Sequence, residues 1–214
     1  MRAVSAEKEF TPYAVDAFEQ AASHHGGRID SQCIGCQVAA EGAFASTMRR
    51  WEWFVYELMV DLMSGRQTIH RNGSCVRNHV HQTRSVAEQQ LLRVRFNPFT
   101  GAVTLKPNPG NYILLHNPAM VSAVATYWLQ NSSIETVFSG YRQDIERILH
   151  VRHGIAHGTS HAGSQCQAAL LIYDPLTPYQ TVGQFMTART GDGVTTWLEH
   201  LLSLLVQWAA ELSP

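Results

Sequence analysis

The first strong pattern along the chain begins at Glu41. Phe44, Met48, Trp51, Val55, Leu58 and Leu62 recur at alternating spacings of four and three, which places them on one face of a long helix over 41–64. Ahead of it, residues 11–24 read as a short helix, and "HHGGRIDSQCIGC" reads as a loop from its glycines and polar residues. Residues 65–117 lose the period. A helix at about 84–95 stands out there, and "GAVTLKP" and "NYILLHN" have the form of short strands. Pro118 opens a helix to Gln130, at the first-turn position where proline is tolerated. A further helix covers 139–157, and 166–191 reads as a connection containing the strand-like "AALLIY". The chain closes on "DGVTTWLEHLLSLLVQWAAEL", with Asp192 or a nearby Thr as cap. Trp197, Leu201, Leu204, Leu205, Trp208 and Leu212 form one face, and Leu198, Leu202, Val206 and Ala209 widen it. Such girth marks a helix that is central or meets a partner. The pattern predicts an all-α bundle of about four main helices. Residues 1–40 are expected as an N-terminal extension, and 41–214 as the helical domain with an irregular insertion at about 65–117.

Composition narrows the function classes. A chain of 214 residues that is 45% hydrophobic can bury a real core. The net charge of -1 excludes a global basic field of the kind that announces a nucleic-acid binder. Of the 16 basic residues only Lys8 and Lys106 are lysine, and arginine is the cation suited to bidentate phosphate contacts and partial burial. Met1–Phe10 has no apolar secretory core, and the longest apolar helices carry Arg49, Arg50, Glu52, Glu57, Asp61 and Glu199. The expectation is a cytoplasmic protein without a membrane span.

Two clusters carry alternative chemistry. Cys33 and Cys36 form a CxxC that Cys75, Cys166, His24, His25, His79 or His81 could complete as a zinc site. A structural zinc site usually shows two close pairs, and one is present, so reduced thiols and no metal are expected. The stretch 70–84 carries Arg71, Arg77 and Arg84 with histidines and no acid. It reads either as a track for an RNA backbone or as a solvated loop face.

The densest chemistry lies in "ILHVRHGIAHG", residues 148–158. Tyr141, Ile145, Ile148 and Ile155 define an apolar stripe, and Arg152 falls on it, four after Ile148 and three before Ile155. A guanidinium there needs a partner, for which Glu52 is a candidate. His153 and His157, four apart, share a face, whereas Arg152 and His157 lie roughly 140° apart on an ideal helix. Gly154 and Gly158 suggest that the helix ends or strains here, letting His157 swing round. Alternatively, a second chain brings the two residue types together.

The wording "RHGIAHG" resembles the signature of the HEPN superfamily, in particular the RiboL-PSP-type HEPN domains of prokaryotic defence and stress systems. The early helix "RWEWFVYEL", with Glu52 among aromatics, is similar to the family's first helix. The resemblance covers 148–158 closely and 41–64 and 118–212 loosely. It implies a HEPN-like helical bundle and a metal-independent endoribonuclease that needs no cofactor and acts as a homodimer, with an antitoxin or defence-system protein as partner. Carried over by position, Arg152 and His157 would be catalytic, and His153 would be the polar residue beside the arginine. The chemistry suits those residue types. RNA supplies its own 2′-hydroxyl nucleophile, histidine moves protons near neutral pH, and arginine offers a cationic fork to the crowded phosphate. Cleavage would leave a 2′,3′-cyclic phosphate.

One position departs from the family pattern. Toxins of the family paired with a nucleotidyltransferase usually carry a tyrosine two residues after the histidine, and here Thr159 stands there. That argues against a nucleotidyltransferase partner. The competing expectation is a non-catalytic HEPN module that binds nucleotide or RNA, or serves as a dimerisation scaffold.

Overall fold

The structure is a computed structural model, and it describes residues 2–23, 30–64, 69–70, 73–74, 76–77, 83–110, 113, 115, 117–130, 132–157 and 159–213. Its elements are mostly helical: α1 (Arg2–Ser23), α2 (Ile34–Met63), α3 (Arg84–Leu92), α4 (Pro118–Trp128), α5 (Ser133–Gly140), α6 (Arg142–Ala156), α7 (Ser160–Tyr173), α8 (Val182–Thr187) and α9 (Trp197–Leu212). Among the described residues six short strands form three antiparallel pairs: β1 (Ile69–His70) with β2 (Gly73–Ser74), β3 (Val76–Arg77) with β6 (Leu129–Gln130), and β4 (Val94–Phe96) with β5 (Val103–Leu105). The all-α class with minor strands is what the chain adopts. Among the described residues no helix is long and apolar enough to cross a membrane.

The chain divides into two compact units. The first takes Met1–Lys8, Glu52–Ile145 and Trp208–Pro214, and the second Glu9–Trp51 and Glu146–Gln207. In the first, α4 lies against α5, with Val121, Val124, Ala125 and Trp128 buried from one helix and Ile134, Val137 and Phe138 from the other. Asn117 caps α4 by accepting the Met120 N–H at 3.1 Å, with Pro118 in the first turn, as its sequence suggests. Phe54, Val55, Leu58 and Leu62 of α2 are buried here too. The end of α9 is tied in by Ser133 Oγ, which donates to the Leu212 carbonyl at 3.1 Å, and by Tyr141, which lies against Trp208 and donates to Glu211 at 3.0 Å.

In the second unit α1 packs on the start of α2. Phe10 meets Trp51 with ring centroids 5.9 Å apart, and the Arg50 guanidinium lies 5.0 Å over the Tyr13 ring, a cation–π contact. The helix expected over 11–24 runs back to Arg2 and contains Pro12. Cys33 closes α2 at its N-terminus: its Sγ accepts the Cys36 N–H at 3.4 Å and its carbonyl accepts the Gln37 N–H at 3.0 Å. The CxxC spacing is that of a capping residue and its third helical residue.

The stretch expected as a connection with a strand is the helix α7. Thr159 caps it by accepting the Ala162 N–H at 3.3 Å, and Ala162, Cys166, Ala169 and Leu170 are its buried stripe. Their spacings of four, seven and eight from Ala162 are helical, so the short run "AALLIY", read alone, gave the wrong period. Beyond α7, Phe185 of α8 stacks on Trp197 at 5.2 Å, Tyr173 meets Trp197 at 5.6 Å, and Tyr179 meets Phe185 edge-on. The Tyr179 hydroxyl donates to Asp174 at 2.6 Å. Burial and that carboxylate push its pKa up to about 12, while the same bond lowers that of Asp174. Thr196, not Asp192, caps α9, accepting the Glu199 N–H at 3.2 Å. Asp192 instead ties the preceding turn through the N–H groups of Val194 and Thr195.

Candidate active site

The end of α6 carries the candidate chemistry. Ile145, Ile148, Leu149 and Val151 are buried, whereas Arg152, His153, Gly154 and Ile155 are half-covered and His157 is exposed. The apolar stripe thus loosens where it reaches Arg152. A half-covered arginine keeps part of its hydration, which lowers the penalty of placing a charge on that stripe.

The helix ends at Ala156, yet His157 keeps the helical register. Its N–H donates to the His153 carbonyl at 2.9 Å, and the two imidazoles lie 5.7 Å apart, inclined by 53°. His157 does not swing round toward Arg152. At about 100° per residue the arginine faces another side of the helix, so one chain pairs the two histidines and leaves Arg152 on an adjacent face. Gly158 lies outside the described residues.

Gly154 has a packing role. A Cβ placed on it would stand 2.5 Å from Cys166 Sγ and 2.7 Å from Cys166 Cβ, so its hydrogen side chain lets α7 approach α6 closely at the turn that carries the histidines. The Cys166 thiol, buried at that contact, is pushed up to about 11 by desolvation.

The electrostatics of the cluster centre on His153. Its pKa lies below the ordinary 6.5, first because burial disfavours the imidazolium and then because Arg152, His157 and His150 are positive neighbours. His150, one turn earlier, was given no role from the sequence, although the spacing of 150, 153 and 157 places all three on one side of the helix. A depressed histidine is neutral at physiological pH and can accept a proton or a hydrogen bond.

The other expected site residues fall in the first unit. Glu52 is half-covered on α2. Arg77 has its backbone in β3, and Arg71 lies outside the described residues, as do Cys75, His24, His25, His79, His81 and most of "NYILLHN". Arg84 differs from the expectation. Its guanidinium donates to Glu57 at 2.8 Å and to Asp61 at 3.1 Å, and pairs with Glu88 at 2.8 Å. A fork turned toward three carboxylates is a structural clamp, not part of a phosphate track. The sequence stretch 70–84 holds no acid, but Glu57 and Asp61 come from α2, more than twenty residues earlier.

Among the described residues no group of three His, Cys, Asp or Glu side chains is placed to hold a metal ion, and Cys33, Cys36 and Cys166 form no disulfide. No protein-family model, no curated protein and no solved structure matches the chain.

Proposed function

We propose that the chain is a metal-independent endoribonuclease of the HEPN type, cutting single-stranded RNA as a homodimer in a defence or stress response. The observation that carries the reading is the end of α6, where half-covered Arg152 adjoins a histidine of depressed pKa that is paired with a second, exposed histidine. The 2′-oxygen attacks the adjacent phosphorus, the 5′-oxygen leaves, and a 2′,3′-cyclic phosphate forms. His157, exposed at the end of α6, takes the proton of the 2′-hydroxyl and hands it to the departing 5′-oxygen, and Arg152 balances the charge growing on the phosphate oxygens. His153 positions its neighbour. Because Arg152 and His157 diverge on one helix, a second copy of the chain in two-fold contact completes the cleft with its own set.

The test uses the full chain and a labelled single-stranded RNA. His157→Ala, checked for fold and oligomeric state, is expected to lose about 10²–10⁴ in cleavage rate. Arg152→Ala should lose a similar amount, and His153→Ala less. EDTA should leave the rate unchanged, and DNA of the same sequence should resist because it lacks the nucleophile. A folded, dimeric His157→Ala that cuts at the wild-type rate would overturn the assignment. A wild type that cuts no RNA would turn the reading toward a non-catalytic module.

A further inference from the structure

The β4–β5 hairpin in the first unit presents an aromatic ring to solvent with nothing of the fold to cover it. Val94, Phe96, Val103 and Leu105 face inward, while Arg95 and Thr104, paired in register, face out. At the tip, "NPFTG" is tied by Asn97. Its Oδ1 accepts the Phe99 and Thr100 N–H groups at 2.9 and 3.3 Å, and its carbonyl accepts the Gly101 N–H at 2.8 Å. Pro98 fixes one backbone angle and Gly101 sits at φ 71°, the left-handed conformation that glycine takes without strain. The turn is thus rigid, and it holds Phe99 96% exposed, the most exposed large apolar side chain among the described residues.

The surroundings are basic. From Leu92 to Gly110 the chain carries Arg93, Arg95 and Lys106 and no acid, and α4 beside the hairpin has no charged residue. Arg93 braces the base of the hairpin, donating from Nε to the Lys106 carbonyl at 2.7 Å. Next to the tip lies a cleft of about 420 Å³ lined by Phe96, Pro98, Ser122, Phe138, Ser139 and Arg142. The Ser122 and Ser139 hydroxyls share a hydrogen bond of 3.1 Å within it. That volume is within the range of small-molecule sites, roughly 300–1,000 Å³, and its two hydroxyls can answer a base edge or a phosphate.

We propose that this hairpin and its cleft are a docking platform for single-stranded RNA, with Phe99 stacking on a base and Arg95 and Lys106 neutralising the backbone. A rigid exposed ring beside cations without acids matches the charge and the flat, unpaired bases of a single strand. A duplex hides those faces, and an apolar protein surface offers no partner for the cations. The choice of RNA over DNA rests on the nuclease reading above.

The experiment measures fluorescence anisotropy of a labelled twelve-residue oligouridine with the full chain carrying His157→Ala, so that binding is read apart from cleavage. Adding Phe99→Ala is expected to weaken binding about ten-fold or more. Arg95→Ala with Lys106→Ala should weaken it and flatten its salt dependence, by about two phosphate contacts. Leu176→Ala, an equally bare apolar residue of the second unit, should change nothing. If Phe99→Ala alters the far-ultraviolet circular dichroism, Phe99→Leu carries the test, since it keeps apolar bulk without the ring. Parent-like binding by both hairpin variants overturns the proposal, as does tighter binding of oligodeoxythymidine than of oligouridine. Cleavage by the parent sequence that persists in the Phe99 and Arg95 variants would sink the platform and spare the nuclease. Hairpin-dependent binding by a chain that never cleaves would do the reverse.

Discussion

Arg84 in the first unit and Arg152 in the second are both half-covered, and they act on different kinds of group. Arg84 faces Glu57, Asp61 and Glu88, so its charge is answered three times over. Arg152 precedes His153 directly and sits within two residues of His150, and its charge pushes a titratable ring toward neutrality. The first arrangement removes a cation from use by a ligand and fixes α3 to α2. The second places the cation beside an imidazole whose pKa is already lowered by burial and is lowered further by that charge. An arginine that holds a fold is recognised by what it satisfies, and one suited to chemistry by what it perturbs.

The largest expected effect breaks the Arg84 side of that comparison. Asp61 is fully buried and Glu57 nearly so, and removing Arg84 would leave both without their shared counter-charge. Loss of one partner of a buried ion pair typically costs about 3–5 kcal/mol. Arg84→Ala should lose stability on that scale in urea unfolding. Arg84→Lys should recover only part, because an ammonium cannot span two carboxylates as the fork does. A loss below about 1 kcal/mol would mean that the carboxylates find water or protonate, and that the clamp is incidental.

An intermediate effect tests the support behind the second arginine. Gly154→Ala would put a methyl group into Cys166, and overpacking of this kind costs about 1–3 kcal/mol. Cys166→Ala should give little relief, since Cys166 Cβ alone stands 2.7 Å from the new atom, whereas Cys166→Gly should give more. Thermal or urea unfolding of the two double variants reads the difference. If Gly154→Ala is as stable as the wild type, α6 and α7 are not in close contact at Gly154 and Cys166.

The two regions also differ in how much of them the sequence makes legible. The faces of α2 and α9 are long, strictly periodic and built from large apolar residues, and Phe44, Met48, Trp51, Leu201 and Trp208 are buried as their spacing implies. Pattern reading works there because one interaction, burial of a stripe, dominates. It failed on α7, whose stripe contains small residues, Ala162, Cys166 and Ala169, that score weakly as apolar, and whose exposed Leu171 and Ile172 interrupt the alternation of in and out. The candidate site was legible because Arg152, His153 and His157 are local in sequence. The clamp on Arg84 was not, since Glu57 and Asp61 come from another helix and no local pattern announces a long-range ion pair. The pairing of "CIGC" as a helix cap escaped for a different reason: the same spacing serves a metal site, and backbone geometry alone decides between them.

The smallest expected effect sharpens the Arg152 side. Burial is the first cause of the depressed His153 pKa and the Arg152 charge the second, so the two can be separated by removing the charge while keeping the bulk. In Arg152→Gln the pKa should rise toward the ordinary 6.5 without reaching it, because burial remains. In Arg152→Lys it should stay close to the wild-type value. The imidazole C–H resonances followed by proton NMR across pH 4–8 would report both, with His150→Gln and His157→Gln used to assign the signals. The same shift has a consequence for stability. Between the depressed folded value and the unfolded value near 6.5, the unfolded chain binds a proton that the folded chain does not, so stability rises with pH across that window. The contribution of neutral His153 is fully present above the unfolded value and is lost as pH falls through the folded one. Arg152→Gln should narrow the window, making the protein less sensitive to mild acid even if its stability at pH 8 is unchanged. A His153 pKa that does not move when the Arg152 charge is removed would leave burial as the sole cause. Arg152 would then stand too far from the ring to act with it, and the contrast with Arg84 would lose its electrostatic half.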